Sequence, residues 1–461
     1  MIFKNILLAY QLENYKNLRF LKFIYSHPKF WITWSKRQTL EYTSKAKLIL
    51  ILALILCVFD IFASIYFLSG IYEILSIIAV LFFLPLYFVA ANIVIVPLDR
   101  YLKSKIISDA KKKIATFKDL KIIAITGSMG KTTTKEFLYT ILSEKYNVLA
   151  TEGTKNTPLW ISRLIQSKLT KKHEIFIVEM WAYEKWNIAE LCDIAQPDIS
   201  IITGITLQHL ERFGGLREII DTKFEILESL PKNGFAVVDS STEWVQRWLK
   251  EKDLDIENII EVKKWTPFSY RENLWGIEFE LEWKKIQTKI LSNYIIETLQ
   301  ICWEVSKHIW LSLEQFQTWS SKIDFVEHRM QLIYNPNGNV YVIDDSFNGN
   351  IEWIHSILHL MKHAPFSGRK VLIAWWVVEL WDETHRVNSN LWEQMAESSD
   401  LVLLVEWPVW SAILDGLKKA HYPENNIKMY QNPLSLHDDL KNITKNGDMI
   451  IFQNDLPDHY L

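Results

Sequence analysis

Residues 121–133 read KIIAITGSMGKTT, and this stretch decides the fold. Lys121–Thr126 is a short apolar run rich in β-branched residues, which predicts a buried strand. A tight turn, Gly127-Ser128-Met129-Gly130, follows it, and the helical stretch Lys131–Glu144 follows the turn. Glycines there let the backbone curl so that successive amides point at phosphate oxygens, with the helix N-terminus adding positive potential. The motif is a shortened G-x-x-G-K-T, because the first glycine of the longer phosphate-loop form falls at Ile125. ATP is the expected ligand: Gly127, Ser128, Met129, Gly130 and Thr133 shape the cradle, Lys131 reaches the β- and γ-phosphates, and Thr132 ligates Mg2+.

Outward from the loop, apolar runs alternate with helical stretches. Strands are expected at 147–150, 174–179, 198–203 and 234–238, and helices at 158–169, 187–194 and 216–230. This alternation predicts a doubly wound, mainly parallel α/β sheet. A second series begins near Met330, with strands at 340–345, 370–374, 401–406 and 448–452. The expected division is an N-terminal segment 1–113, a central P-loop ATPase domain 114–326, and a C-terminal Rossmann-like α/β domain 327–461. The mixed stretch 240–325 has no clear pattern.

The N-terminal segment differs in kind. Residues 48–68 are apolar except for Asp60, and residues 74–97 carry no charge. Each is long enough to cross a hydrocarbon core of about 30 Å, and only Ser69–Glu73 separates them. Lys36, Arg37, Lys45 and Lys47 precede the pair; Arg100, Lys103, Lys105 and Lys111–Lys113 follow it. A transmembrane helical hairpin with both ends in the cytoplasm is the expectation, placing the catalytic domains on the cytoplasmic face of the membrane. Residues 1–113 hold 15 Lys/Arg against 6 Asp/Glu, a net of +9, so the remainder carries −12. The whole chain, at −3, implies no nucleic-acid partner. Cys57, Cys192 and Cys302 lie far apart with no CxxC, which excludes a disulfide framework and a cysteine zinc site.

The segment ITGSMGKTTTKE resembles the ATP loop of the Mur ligases, which build the peptide stem of peptidoglycan, and the resemblance continues in the order that family uses. GTKNTPLW (Gly153–Trp160) implies that Asn156 lines the nucleotide site. VEMWA (Val178–Ala182) is similar to V-E-M-G-A and makes Glu179 a Mg2+ ligand. GITLQHLERFG (Gly204–Gly214) makes His209 a ligand of a second Mg2+, and DTKFEIL (Asp221–Leu227) makes Lys223 the lysine that the family carbamylates. EHRMQ places Arg329 at the hinge before the C-terminal domain. DDSFNGN (Asp344–Asn350) resembles the D-D-S-Y-N-A-N of the member that adds D-alanyl-D-alanine, in which Asp345 and Asn348 face the nucleotide.

The resemblance covers about residues 118–461. It implies an ATP-dependent amide ligase acting through an acyl phosphate, with two Mg2+ ions and with Lys131, Lys223 and His209 as catalytic groups. Its partners would be a peptidoglycan precursor, a dipeptide or amino acid, and the cytoplasmic membrane. Family members of this type begin with a soluble domain that grips a UDP-sugar, and residues 1–110 offer a basic arm and a hairpin instead. A Mur-type ligase for a membrane-associated acceptor and an inactive membrane-anchored nucleotide-binding scaffold are the other readings.

Composition adds one anomaly. The chain has 20 Trp and only 14 Gly, so glycine is about 3% where about 7% is usual. Trp160, Trp181 and Trp310 stand where the family has glycine, and so do Trp375, Trp376 and Trp381 in the segment resembling G-G-x-x-E-L-G. The expectation is that many of these positions are glycine in the working protein, their codons being UGA in a lineage that reads it as glycine.

Overall fold

In the computed structural model the run at 121–126 becomes the centre of a six-stranded parallel sheet. The structure describes residues 2–27, 40–153, 155–182, 184–206, 215–252, 254, 256–264, 270–291, 293, 295–346, 351–363, 366–374, 383–405 and 410–453. The chain divides into two compact units, 1–108 and 109–461.

In the larger unit, β1 (Lys121–Thr126) lies between β3 (Ile175–Glu179) and β4 (Ile199–Ile202), with β2 (Val148–Ala150) beyond β3. On the other side β4 is followed by β5 (Phe235–Asp239) and β6 (Asn258–Val262). Every residue of β3, β4 and β5 is buried, as a parallel sheet covered on both faces requires. Helix α6 (Lys131–Leu142) packs Phe137, Leu138 and Ile141 into the core beside Ile123, Ile125 and Ile177. From β1 the chain runs to β2 and β3 on one side and then crosses to β4 and β5 on the other, a change of direction that opens a crevice at the carboxyl ends of these strands.

The second series forms another six-stranded sheet. Its order is β10 (Gln331–Asn335), β11 (Val340–Asp345), β15 (Met449–Gln453), β12 (Lys370–Ala374), β13 (Leu401–Val405), β14 (Ile427–Tyr430). Only the β10–β11 pair is antiparallel. Alternate residues serve opposite cores: Leu372 and Ala374 pack with Met395 and Ile451, while Val371 and Ile373 pack with Leu436 and Ile450. The stretch left without a pattern holds an antiparallel meander, β7 (Tyr270–Asn273), β8 (Gly276–Leu281) and β9 (Lys284–Thr288), and then α11 (Ile295–His308).

The smaller unit is helical. α1 (Ile2–Leu12) and α2 (Asn17–Ser26) precede α3 (Ser44–Phe67), α4 (Ile71–Phe82) and α5 (Leu84–Ile114). The first apolar stretch is one helix, but the second is two, broken at Phe83. Pro85 fits the break: it has no N–H to continue the ladder of α4, and it sits in the first turn of α5, where no donor is needed. Two of these helices, Ser44–Phe67 and Leu84–Ile114, are long and apolar enough to cross a membrane.

Among the described residues, two tryptophans sit in left-handed backbone. Trp310 has φ 65° and follows α11, where its amide bonds to Lys307 O and that of Leu311 to Ser306 O. That pair of bonds is the Schellman closure, whose left-handed position glycine normally fills. Trp186, with φ 74°, precedes α8 (Asn187–Ala195). Both indoles point into solvent, at 86% and 65% exposure, so packing does not explain either one.

Candidate active site

Only glycine can stand at position 127. Its φ is 152°, and a Cβ there would lie 2.0 Å from Thr203 Oγ1. The loop is laced to the end of β4: the Ser128 and Met129 amides donate to Gly204 O at 2.9 and 3.2 Å, and Thr203 Oγ1 donates to Thr126 O at 3.1 Å. Gly130, at φ 78°, then turns the chain into α6. Lys131 Nζ folds back onto the carbonyls of Gly127 and Ser128, at 2.7 and 3.1 Å.

Burial pushes the Lys131 ammonium down to about 8, with the Glu179 carboxylate opposing and the Arg329 guanidinium adding to the fall. An anionic phosphate requires the protonated form. Affinity for ADP is therefore expected to be level below about pH 8 and to fall by up to about tenfold per unit above it. Calorimetric titration on both sides of that value checks the sign.

Glu179 ends β3, 2% exposed, facing the loop. Asn156 Nδ2 donates to its Oε1 at 3.2 Å, and Thr151 Oγ1 accepts its amide at 3.0 Å. Its other oxygen is 3.3 Å from the ammonium of Lys135, a fully buried side chain that also donates to Gly153 O at 2.7 Å. Lys135 lies just beyond the G-x-x-G-K-T motif and is not among the residues that mark the site in the sequence. Its place one turn after Lys131 on the same helix face was the available signal. Lys135→Met removes the cation in contact with buried Glu179, at an expected cost of about 3–5 kcal/mol, and adding Glu179→Leu should recover most of it. Thermal midpoints of the two variants check this.

Lys223 lies on α9 (Leu216–Glu228), 3% exposed. Burial, and then the Lys131 charge, drive its pKa well below the ordinary lysine value, against the pull of Glu225. Glu225, also unassigned from the sequence, accepts the Trp186 and Ala189 amides at 2.6 and 3.1 Å. It thereby caps α8 and ties α9 to the segment after β3.

The C-terminal sheet brings two groups. Arg329 sits between His328 and Met330, both at positive φ (60° and 48°), in a turn that ends at β10. Its pKa is lowered by burial and raised by the neighbouring Glu179 and Asp345 carboxylates, so it is felt from both sheets. Asp345 ends β11, accepts the Met330 amide at 3.1 Å, and is pushed well above the usual carboxylate range by burial. Asp344 is raised by partial burial, but bonds from Ser346 and His328 outweigh this and hold it low.

The loop residues, Asn156, Glu179, Lys223, Arg329 and Asp345 thus belong to one electrostatic centre. His209, Asn348, Trp375, Trp376 and Trp381 lie outside the described residues. Among the described residues no three His, Cys, Asp or Glu side chains converge as a metal cage. Buried oxygens without a hydrogen-bond partner nevertheless occur here, at Thr133 Oγ1, Thr206 Oγ1, Glu179 Oε2 and Asp345 Oδ2. This donor set fits Mg2+, which is commonly held by one or two carboxylates together with substrate phosphates.

A phosphate loop at the head of a parallel sheet, faced by a hinge arginine and an aspartate from a second sheet, defines a nucleotide-dependent α/β enzyme. The Mur ligase middle domain matches residues 125–296 of the chain. UDP-N-acetylmuramoyl-tripeptide–D-alanyl-D-alanine ligase of Buchnera aphidicola is 26% identical over 339 residues, 70% of each chain. The ligase of the same name from Bacillus subtilis is 21% identical over 343 residues, 72% of each. Among solved structures, MurF from Acinetobacter baumannii has a TM-score of 0.66 at 21% identity, covering 76% of this chain and 77% of that one. MurF ligase from Thermotoga maritima in complex with ADP has a TM-score of 0.65 at 22% identity, covering 76% and 80%.

Proposed function

We propose that this chain is an ATP-dependent ligase that joins D-alanyl-D-alanine to a muramoyl-tripeptide precursor of peptidoglycan. The observation that carries the reading is the single centre formed by buried Lys131, Glu179, Lys223 and Asp345 with half-buried Arg329, the last two brought by the C-terminal sheet and the turn before it. The relatives named above supply the substrate class.

In this reading the loop amides and Lys131 hold the triphosphate, and Asn156, Arg329, Asp345 and Asn348 surround the nucleotide. Thr132, Glu179 and His209 would hold two Mg2+ ions, which would supply charge neutralisation of the phosphates. The acceptor carboxylate attacks the γ-phosphorus, ADP departs, and an acyl phosphate forms. The free amine of the dipeptide then attacks the carbonyl carbon; phosphate leaves with the bonding electrons, and the amine loses a proton. Lys223, buried and biased toward its neutral amine, is suited to add CO2 with release of one proton, which would give an anionic carbamate. The carbamate places an anion beside Lys131, where a second ammonium would repel both Lys131 and the metal. Residues 114–326 and 327–461 are the two catalytic domains.

Residues 1–113 anchor the enzyme to the cytoplasmic membrane. Supporting this, only 22% of the most apolar window of α3 is buried, unlike the core helix of a soluble protein. The helical N-terminal unit also favours a second reading, a Mur-type ligase whose acceptor is itself membrane-associated. ADP release measured with UDP-linked and with lipid-linked acceptor separates the two. Turnover with the soluble acceptor supports the first; turnover with the lipid-linked one alone replaces it with the second.

A further inference from the structure

The N-terminal unit contains a cavity of about 620 Å3 that the ligase chemistry does not use. It opens where α2 begins and where α5 leaves its apolar stretch. Lys16, Asn17 and Arg19 line it on one side, Asn92 and Arg100 on the other. Helix α2 starts with Lys16 as N-cap and no side-chain cap, and the Phe20 amide makes its first bond, to Lys16 O at 3.0 Å. The amides of Asn17, Leu18 and Arg19 therefore come before the helical ladder, and the helix end adds its positive potential to three cationic side chains. Arg19 is braced beside the cavity by Glu13, which takes its Nε at 3.0 Å.

Asn92 gives an independent sign of a ligand. It is 2% exposed, and its Nδ2 donates to Tyr15 O and Asn17 Oδ1 at 3.3 and 3.1 Å. Its Oδ1 is buried with no partner, and Asn92 lines the cavity, which leaves an acceptor here for a hydrogen-bond donor as well as an anion. The rest of the wall is apolar: Leu18, Ile93, Val96 and Pro97. Asp99 pairs with both Lys45 and Lys103, so the start of α3 and the basic end of α5 lie side by side at this level. Apolar surface on one side of this level and a band of cations on the other match the border between hydrocarbon and headgroups.

We propose that this cavity binds the headgroup of an anionic glycerophospholipid. The phosphate lies at the start of α2 among Lys16, Arg19 and Arg100, a headgroup hydroxyl donates to Asn92 Oδ1, and the acyl chain runs over Leu18 and Ile93. Inorganic phosphate would satisfy the cations, and its P–OH could reach Asn92, but it leaves the apolar wall uncovered. The inference rests on the membrane reading of residues 1–113.

The test uses the full chain in a neutral detergent micelle, titrated with short-chain phosphatidylglycerol, short-chain phosphatidylcholine and inorganic phosphate. Phosphatidylglycerol should bind at least about tenfold tighter than either of the others, and Arg19→Ala with Arg100→Ala should remove at least about tenfold of that affinity. Both arginines are exposed, so the variant is expected to fold. Equal binding of phosphatidylcholine, equal binding of inorganic phosphate, or an unchanged double variant each overturns the proposal. Carbonate extraction of cell membranes reports the hairpin separately: a chain that extracts as soluble yet binds phosphatidylglycerol selectively defeats the anchor reading and supports the headgroup site.

Discussion

Lys131→Ala is expected to lower ligase turnover by on the order of 10²–10³-fold or more while leaving the fold intact. The lysine is the cation nearest the loop carbonyls, and catalysis of phosphoryl transfer is mostly placement and charge compensation. The fold should survive because burial of this ammonium is already unfavourable, as its depressed pKa shows. The sign follows from linkage. A lysine whose folded pKa lies below its unfolded one costs stability at low pH, a cost relieved as pH rises through about 8 toward the unfolded value. Alanine removes that cost, so the thermal midpoint at neutral pH should hold or rise. A variant with undiminished acceptor-dependent turnover would contradict the assignment of the loop; one that unfolds would contradict the reading of its energetics.

Glycine at the anomalous tryptophan positions should separate an active enzyme from an inactive one. Trp310 and Trp186 occupy left-handed backbone that costs an L-residue roughly 1–2 kcal/mol. Trp→Gly at each should raise stability by about 1 kcal/mol after glycine's own entropic cost. Trp181, directly after Glu179-Met180, and Trp375, Trp376 and Trp381 fall in motifs where the family has glycine. Restoring glycine at these positions is expected to switch turnover on, where the tryptophan chain shows little. Peptide mass spectrometry of the protein from its native cells decides the native residue. Glycine at 181 and 375–376 supports recoding; tryptophan there contradicts it and shifts the reading to a nucleotide-binding scaffold.

Much of the larger unit was legible because parallel strands buried on both faces are written as unbroken apolar runs. The nine expected strands correspond to β1–β5 of the central sheet and to β11, β12, β13 and β15 of the C-terminal sheet, with no end displaced by more than one residue. The edge strands β10 and β14 were not legible. They expose residues such as Ile333 and Met429 and so carry no uniform apolar signature. The break at Phe83 was readable from Pro85, but the apolar run masked it. Lys131, Glu179, Lys223 and Asp345 could be named from motif order, and all four are buried at one centre. Lys135 and Glu225 could not, because a charged side chain on a helix reads as solvated until the tertiary fold buries it. Trp310 was flagged by motif, whereas Trp186 required the backbone angle.

The most direct measurement is ADP release by the glycine-restored full chain in membranes, with ATP and Mg2+ present and with UDP-muramoyl-tripeptide and D-alanyl-D-alanine supplied singly and together. The account predicts sustained release only when the carboxylate acceptor and the amine are both present, with one dipeptide joined for each ADP formed. ATP hydrolysis that neither substrate stimulates, or nucleotide binding with no turnover under any combination, would contradict it.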